Sequence, residues 1–272
     1  MRGLVCGAMA LALAAVAAYP AFSAPAAGTP AVTVSTDTDP FAWLEPPRDP
    51  KALAWVEAEN KRSLDVLQAD PRFAGFQAAV LKIVTASDRI PMPSFSAGRI
   101  TNFWPNTEQV QGLWRRTSIE GYRAAGPRWE TLLDLDALSK AEGKTWVFKG
   151  ADCLPPDERM CLVALSEGGL DAVEIREFDA QTKTFVAGGF HAPQGKQNFT
   201  WLDRDTVLIA RDWGPGTMTD SSYPFVVKLW KRGQPVDQAR EIYRGTKTDV
   251  LVAPTVLRDA DGAAQAVILT RA

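Results

Sequence analysis

Apolar residues recur at helical spacing in two stretches that follow the first forty residues. Asp49 and Pro50 form a helix-start signal, because aspartate accepts backbone N–H groups at the cap and proline suits the first turn. Asp70 and Pro71 repeat that signal. These patterns predict two amphipathic helices within residues 41–88, each with an apolar stripe that faces a core. The stripes are Leu53, Val56, Leu64 and Leu67, interrupted by Asn60, and then Phe73, Phe76, Val80 and Ile83.

Beyond Ser87 the pattern changes from helical spacing to alternation. Short runs of β-branched and aromatic residues alternate with polar residues and end at turn signals such as Gly168-Gly169 and Gly233-Gln234-Pro235. No strong amphipathic helix pattern interrupts them, so residues 89–272 are predicted to be all β. The runs occupy residues 114–119, 146–149, 162–165, 173–178, 207–210 and 225–230.

The β region has a longer period as well. Similar units begin at Trp146, Phe199 and Asp249, at intervals of 53 and 50 residues. A second marker, a strand followed by a polar turn, recurs at residues 129–138, 173–186 and 225–243. Periods of 40–50 residues with several strands each are typical of β-propeller blades. The alternative is a β-sandwich, which does not require this longer period.

The N-terminus has the layout of a targeting segment. Arg2 precedes an apolar run from Leu4 to Ala18, Pro20 breaks that run, and small residues follow up to Ala24. This pattern predicts a secretory signal peptide over residues 1–24, and therefore a periplasmic or secreted protein that leaves the membrane after cleavage. The alternative is a retained membrane anchor, for which the apolar run is short. Residues 25–40, rich in Ala, Pro and Thr, are predicted to be a flexible leader.

Composition narrows the possible partners and metals. The 272 residues include 30 basic and 32 acidic side chains, a net charge of −2. This balance argues against a nucleic-acid partner, which usually requires a basic excess. The single histidine, His191, excludes a His-rich metal site.

Two cysteines remain after the predicted cleavage. Cys153 and Cys161 flank Leu154-Pro155-Pro156-Asp157, which is typical of a tight turn. Because export permits disulfides, we predict that these cysteines bridge a hairpin. The alternative is two free buried thiols, whereas a zinc site lacks further ligands.

Several short motifs resemble the prolyl oligopeptidase family of serine peptidases. They occur in the family's order between about residues 37 and 252. The clearest are Asp39-Pro40-Phe41-Ala42-Trp43-Leu44-Glu45 before the helices and Leu165-Ser166-Glu167-Gly168-Gly169-Leu170-Asp171-Ala172 in the β region. The others lie at residues 56–60, 111–117, 176–179, 188–190, 223–224 and 230–233.

The resemblance implies a two-part enzyme that cleaves short peptides after proline. In the family a seven-bladed propeller covers an α/β-hydrolase domain that carries the Ser, Asp and His triad, and the helical segment packs on that domain. A chain of 272 residues then holds about three to four blades, a mainly β, incomplete propeller over residues 89–272 preceded by two α-helices. The hydrolase domain falls outside the chain, so no triad residue is carried over.

Local candidates for chemistry are weak. Ser166 lies in an Ala-Leu-Ser-Glu-Gly imitation of a nucleophile elbow, but a strand pattern follows it where the elbow requires a helix. His191 precedes Pro193 in a loop or strand end and is expected to be a surface polar group. The acid pairs Asp203/Asp205 and Asp259/Asp261 are expected to be turns, and the basic pairs Arg115-Arg116 and Lys231-Arg232 solvated strand faces. No catalytic, cofactor-binding or metal-binding residue is therefore predicted.

Three functional hypotheses remain. The chain is the N-terminal propeller portion of an exported serine-type endopeptidase and is inactive alone, so that it meets peptide substrate only when the hydrolase domain is supplied. Alternatively, it is a non-catalytic propeller half that assembles with a separately encoded hydrolase half, since incomplete propellers expose sheet edges and apolar faces. The third hypothesis is a decayed gene fragment.

Overall fold

A computed structural model describes residues 39–46, 49–86 and 88–272. The predicted signal peptide and almost all of the predicted leader lie outside these residues. The chain divides into two compact units after Phe73. The predicted boundaries at residues 40/41 and 88/89 remain predictions. None of the described helices combines the length and the apolarity needed to cross a membrane.

The first unit contains a 3-10 turn at Ala42–Leu44 and helix α1 at Pro50–Gln68. The predicted cap is confirmed, because Asp49 Oδ1 accepts the backbone N–H groups of Lys51 and Ala52 at 2.8 and 3.0 Å. The predicted apolar stripe of α1 is not buried among the described residues. Its leucines and valine lie 41–61% exposed; they are Leu53, Val56, Leu64 and Leu67.

Helix α2, Phe73–Val84, begins two residues later than the Asp70–Pro71 signal indicated. The Asp70 carboxylate instead accepts the backbone N–H of Arg72 and pairs with its guanidinium, which closes a turn before the helix. The second stripe is also exposed among the described residues, with Phe76, Val80 and Ile83 at 57–67%. The amphipathic pattern predicted the positions of both helices, but it could not predict which part of the protein covers their apolar faces.

The rest of the second unit is built from four antiparallel sheets, in chain order. Sheet 1 contains β1 (Ser94–Ser96), β2 (Arg99–Trp104), β3 (Leu113–Ser118) and β4 (Glu130–Asp134). Sheet 2 contains β5 (Trp146–Cys153), β6 (Met160–Glu167), β7 (Val173–Asp179), β8 (Thr184–Phe185) and β9 (His191–Gly195), with β8 and β9 both paired to β7. Sheet 3 contains β10 (Gln197–Asp203), β11 (Thr206–Arg211), β12 (Val226–Lys231) and β13 (Arg240–Arg244). Sheet 4 contains β14 (Val252–Arg258) and β15 (Ala264–Arg271).

This arrangement confirms the mainly β, partial-propeller prediction. The three unit starts read from the sequence, Trp146, Phe199 and Asp249, fall at or close to the first strands of sheets 2, 3 and 4. The prediction that residues 89–272 are all β is wrong in one respect, because two helices lie among the strands. Helix α3 (Ile119–Arg123) follows β3, and helix α4 (Leu135–Glu142) follows β4. Helix α4 was missed because its short apolar pattern continues directly from β4, where Asp134 ends the strand and caps the helix by accepting Ala137 N–H.

Aromatic side chains fill the spaces between successive sheets. Between sheets 1 and 2, Trp114 stacks on Phe148 at 5.6 Å and lies beside Phe178 at 5.7 Å. Between sheets 2 and 3, Phe190 meets Trp230 edge-on at 4.8 Å. Full burial of a large apolar side chain contributes about 1.5–3 kcal/mol. The core is therefore a series of junctions between sheets.

Ion pairs cross the same junctions with a constant direction. The Glu177 carboxylate of sheet 2 is fully buried and accepts two hydrogen bonds from Arg232, which follows β12 of sheet 3, at 2.8 and 2.9 Å. One junction earlier, Arg176 of β7 donates to Glu142 of α4, and Lys183 lies 3.0 Å from Glu130 of β4. In each case the later sheet supplies the cation and the preceding part of the chain supplies the carboxylate. Lys231-Arg232 is thus not a simple solvated pair.

The β5–β6 hairpin places the two cysteines opposite each other. Cys153 and Cys161 are register partners, and the structure joins their Sγ atoms as a disulfide, 2.04 Å apart. Residues 154–159 form the predicted turn between the strands. Formation of the bond in the cellular protein remains a prediction.

The disulfide is expected to stabilise the folded chain by about 2–3 kcal/mol, because it restricts a short loop in the unfolded state. Reduction lowers the free energy of unfolding by that amount, and the double change Cys153→Ala with Cys161→Ala does the same without any further response to reductant. Urea unfolding with and without reductant measures both. If reductant does not change the urea midpoint of the wild-type chain, the two cysteines are free thiols.

Glu177→Gln is expected to cost about 3 kcal/mol of unfolding free energy, because it removes the charge that neutralises Arg232 at a water-poor junction. This loss lies at the lower end of the range that is typical for breaking a buried ion pair. The reason is that Arg232 is 29% exposed and keeps its contact with Asp205. Glu241→Gln is the matched control: its partner Arg244 is on the surface, and the expected loss is below about 1 kcal/mol. Equal losses in the two variants would contradict a special role for the junction pair.

Candidate functional site

Ser166 is held inside a hairpin. It lies near the end of β6, its side chain is fully buried, and its hydroxyl donates to the Leu170 carbonyl at 2.7 Å. The turn at Gly168-Gly169 then leads into strand β7, where an elbow would lead into a helix. A nucleophile must be exposed and hydrogen-bonded to a base. Ser166 has neither property in this structure.

His191 belongs to a different hydrogen-bond network. It begins β9, and its Nε2 lies 2.8 Å from Glu174 Oε1, which also accepts from Arg176 Nε at 2.7 Å. Burial raises the pKa of Glu174, but the hydrogen bonds from Arg176 and His191 outweigh it and hold that pKa below its usual value. The imidazole is thus engaged by a structural ion-pair cluster. No hydrogen bond joins His191 to Ser166 among the described residues.

The acid pairs form turns, as expected. Asp203 accepts the backbone N–H of Asp205, which in turn pairs with Arg232. Asp259 accepts the backbone N–H groups of Asp261 and Ala263 and so closes the β14–β15 hairpin. Across residues 39–46, 49–86 and 88–272, no group of three or more His, Cys, Asp or Glu side chains is placed to hold a metal ion.

Two cavities lie between sheets 1 and 2. The smaller, of about 260 Å³, is lined by Arg99, Arg116 and Arg159 with Glu158 and the Cys153–Cys161 pair. The second, of about 430 Å³, adds an aromatic wall and the carboxylate residue Asp152. Burial raises the pKa of both Asp152 and Glu158. The wall of the second cavity includes Phe95, Phe103, Trp114 and Phe148.

Neither cavity is lined by a nucleophile with an adjacent base. Sequence reasoning missed Asp152 and Glu158, although both flank the predicted hairpin cysteines. It also treated Arg115 as solvated. The structure places the Arg115 guanidinium between two indole rings, 4.6 Å from that of Trp104 and 4.4 Å from that of Trp129. The nearby tryptophans were the available signal, because arginine stacks readily on aromatic faces.

Comparison with known proteins identifies the family. The family model described as prolyl oligopeptidase, N-terminal beta-propeller domain, matches residues 31–268. An uncharacterised peptidase of Sinorhizobium fredii is 53% identical over 226 residues, which are 83% of this chain and 31% of that protein. An uncharacterised peptidase of Rickettsia prowazekii is 30% identical over 80% of this chain and 31% of its own length.

A solved structure agrees with these matches. The post-proline cleaving enzyme from Rickettsia typhi superposes with a TM-score of 0.73 at 26% identity, over 84% of this chain and 38% of that one. The chain spans about a third of the length of these relatives. With four consecutive antiparallel sheets and a family match over most of its residues, the chain belongs to the prolyl oligopeptidase family, as its N-terminal β-propeller part.

Proposed function

We propose that this chain is the propeller part of an exported, serine-type prolyl oligopeptidase-like endopeptidase that cleaves short peptides after proline. The observation that carries the proposal is the family match over residues 31–268. The similarity to a structure named as a post-proline cleaving enzyme, at 26% identity, supports the substrate class. The propeller would restrict access to short peptides, and an α/β-hydrolase domain would perform the cleavage.

The described residues favour this division of labour. Serine peptidase chemistry requires a serine, a histidine base and a carboxylate arranged in sequence. Here the Ser166 hydroxyl is bound to a backbone carbonyl and His191 to Glu174. The catalytic groups would therefore come from a domain outside residues 39–272, on the same polypeptide or encoded separately.

The exposed helix stripes are the proposed contact for that domain. Helix α2 exposes a row of large apolar side chains, Phe76, Val80 and Ile83. Helix α1 exposes a shorter row, Leu64 and Leu67. Each such side chain gains about 1.5–3 kcal/mol when fully buried. An apolar row of this kind is unfavourable in water, which supports a covering domain.

Export and partners form the last part of the proposal. Removal of residues 1–24 as a signal peptide would release the protein into the periplasm or the medium. An oxidising compartment suits the Cys153–Cys161 pair. The net charge of −2 fits a protein without a nucleic-acid partner.

The purified chain is expected not to hydrolyse a proline-containing peptide. A chimera in which its residues 39–268 replace the matching segment of the Sinorhizobium fredii peptidase is expected to cleave that peptide as the parent does. Release of a chromogenic group after proline measures both. Ser166→Ala should not change the chimera's rate. Turnover by the isolated chain that Ser166→Ala abolishes would contradict the proposal.

The α2 stripe is expected to matter only when the second domain is present. Phe76→Gln with Val80→Gln should leave the unfolding free energy of the isolated chain unchanged, because both side chains are exposed there. In the chimera the same changes should lower the melting temperature and the activity. Leu170→Gln, at an exposed apolar residue between β6 and β7, is the control. Equal effects of the stripe and the control in the chimera would argue against domain contact.

A further inference from the structure

The larger cavity between sheets 1 and 2, called here the β5 cavity, lies where strand β5 ends. The hairpin of β1 and β2 supplies one side of it, and the end of β5 with the turn that follows supplies the other. Small-molecule sites in proteins have volumes of roughly 300–1,000 Å³. The β5 cavity, at about 430 Å³, falls within this range, whereas its neighbour, at about 260 Å³, does not.

Aromatic rings form the apolar wall of the β5 cavity. Phe148 stacks on Phe103 at 5.1 Å and on Trp114 at 5.6 Å. Phe95 adds a fourth ring, which is 69% exposed. The face of an aromatic ring carries partial negative charge and attracts a cation that lies within about 6 Å of the ring centre. This wall therefore favours a ligand that combines apolar groups with positive charge.

Two carboxylate residues line the same cavity, Asp152 at the end of β5 and Glu158 in the turn that follows. Burial raises the pKa of both side chains, and repulsion from Asp152 adds to the rise at Glu158. The two carboxylates are thus close enough to repel each other, and a cation bound beside both would relieve that repulsion. Arg258 attracts Asp152, but its guanidinium donates to the backbone carbonyls of Trp201 and Gly262.

The cavity itself contributes no positive charge. Among the described residues that line it, none is Lys, Arg or His. The same chain shows elsewhere what such a combination binds. The Lys144 ammonium group lies 4.6 Å from the centre of the Trp146 ring and 3.4 Å from a carboxylate oxygen of Glu167. An ammonium group held by a ring and a carboxylate together is therefore an arrangement that this protein already contains.

We propose that the β5 cavity binds an organic ammonium ion. The charged group contacts the carboxylates of Asp152 and Glu158, and the carbon chain packs on the aromatic wall. A metal ion is disfavoured, because Mg²⁺ and Ca²⁺ require about six oxygen ligands and the described residues place no group of three or more His, Cys, Asp or Glu side chains to hold one. The inference rests on this cavity and does not depend on the peptidase activity proposed above.

The test uses the full chain and n-butylammonium as the probe, with 1-butanol as its neutral counterpart of the same chain length. The indole N–H signal of Trp114, assigned with a Trp114→Phe variant, is followed by NMR as each probe is added. We expect at least tenfold tighter binding of n-butylammonium, because a hydrogen bond to a charged group provides about one such factor.

A second probe identifies the source of the ammonium group, which is either a free alkylamine or the lysine side chain of a peptide. Nα-acetyl-lysine amide presents the same four-carbon ammonium chain on a peptide backbone. Binding at least as tight as that of n-butylammonium supports a peptide ligand. Weaker binding that still exceeds that of 1-butanol supports a free amine.

Glu158→Gln should reduce the preference for n-butylammonium at least threefold, and Asp152→Asn should do the same, because each removes one negative charge. Phe95→Leu should reduce the preference about threefold and leave the binding of 1-butanol unchanged, since it removes a ring but keeps an apolar side chain. Asp157→Asn is the matched control and should bind as the wild type does, because Asp157 lies in the same turn and is not among the residues that line the β5 cavity.

Urea unfolding shows that each variant folds. Equal binding of n-butylammonium and 1-butanol, or a preference that Glu158→Gln leaves unchanged, would overturn the proposal. Equal losses in Asp157→Asn and Glu158→Gln would also overturn it, because the attraction would then come from the acidic turn as a whole. Displacement of n-butylammonium by calcium chloride at constant ionic strength would assign the site to a metal ion instead.

Discussion

The contacts between successive sheets determine the stability of this chain. A four-stranded antiparallel sheet has two faces, and each can leave water only by packing against a neighbour. Trp114, Phe178, Phe190 and Trp230 fill these spaces, and the Glu177–Arg232 pair lies among them. A charge in such a position is tolerated only when it is paired and hydrogen-bonded. Successive sheets are therefore joined by polar contacts as well as by apolar ones.

Structural contacts hold several polar side chains of this framework. Ser166 is bound to a carbonyl and His191 to Glu174 within sheet 2, and Glu177 is bound to Arg232 across the junction with sheet 3. A catalytic serine must be exposed and hydrogen-bonded to a base, whereas Ser166 is buried and bound to a backbone carbonyl. Among the described residues, the apolar stripes of α1 and α2 lie exposed. Exposed apolar rows of this kind are suited to contact with further protein, and the chain covers about a third of its relatives' length.

Much of the fold could be predicted from the sequence, because its signals are local. The Asp49 cap, the alternation of strands and the recurrence of first strands near Trp146 and Phe199 each depend on a few adjacent residues. Burial was less predictable. The α2 stripe looks core-facing from its spacing, yet spacing does not reveal whether a partner layer is present. The Glu177–Arg232 pair joins residues 55 positions apart, and nothing in either neighbourhood identifies the other.

The fixed direction of the junction ion pairs has a consequence for how the protein is made. Glu177 leaves the ribosome 55 residues before Arg232. At about 5–20 residues per second, that interval lasts roughly 3–11 s. During it the carboxylate must stay hydrated, so β7 cannot close its far face until sheet 3 has emerged. The carboxylates that sheets 1 and 2 turn towards the next junction therefore keep their hydration until the following sheet has been made and can pair with them.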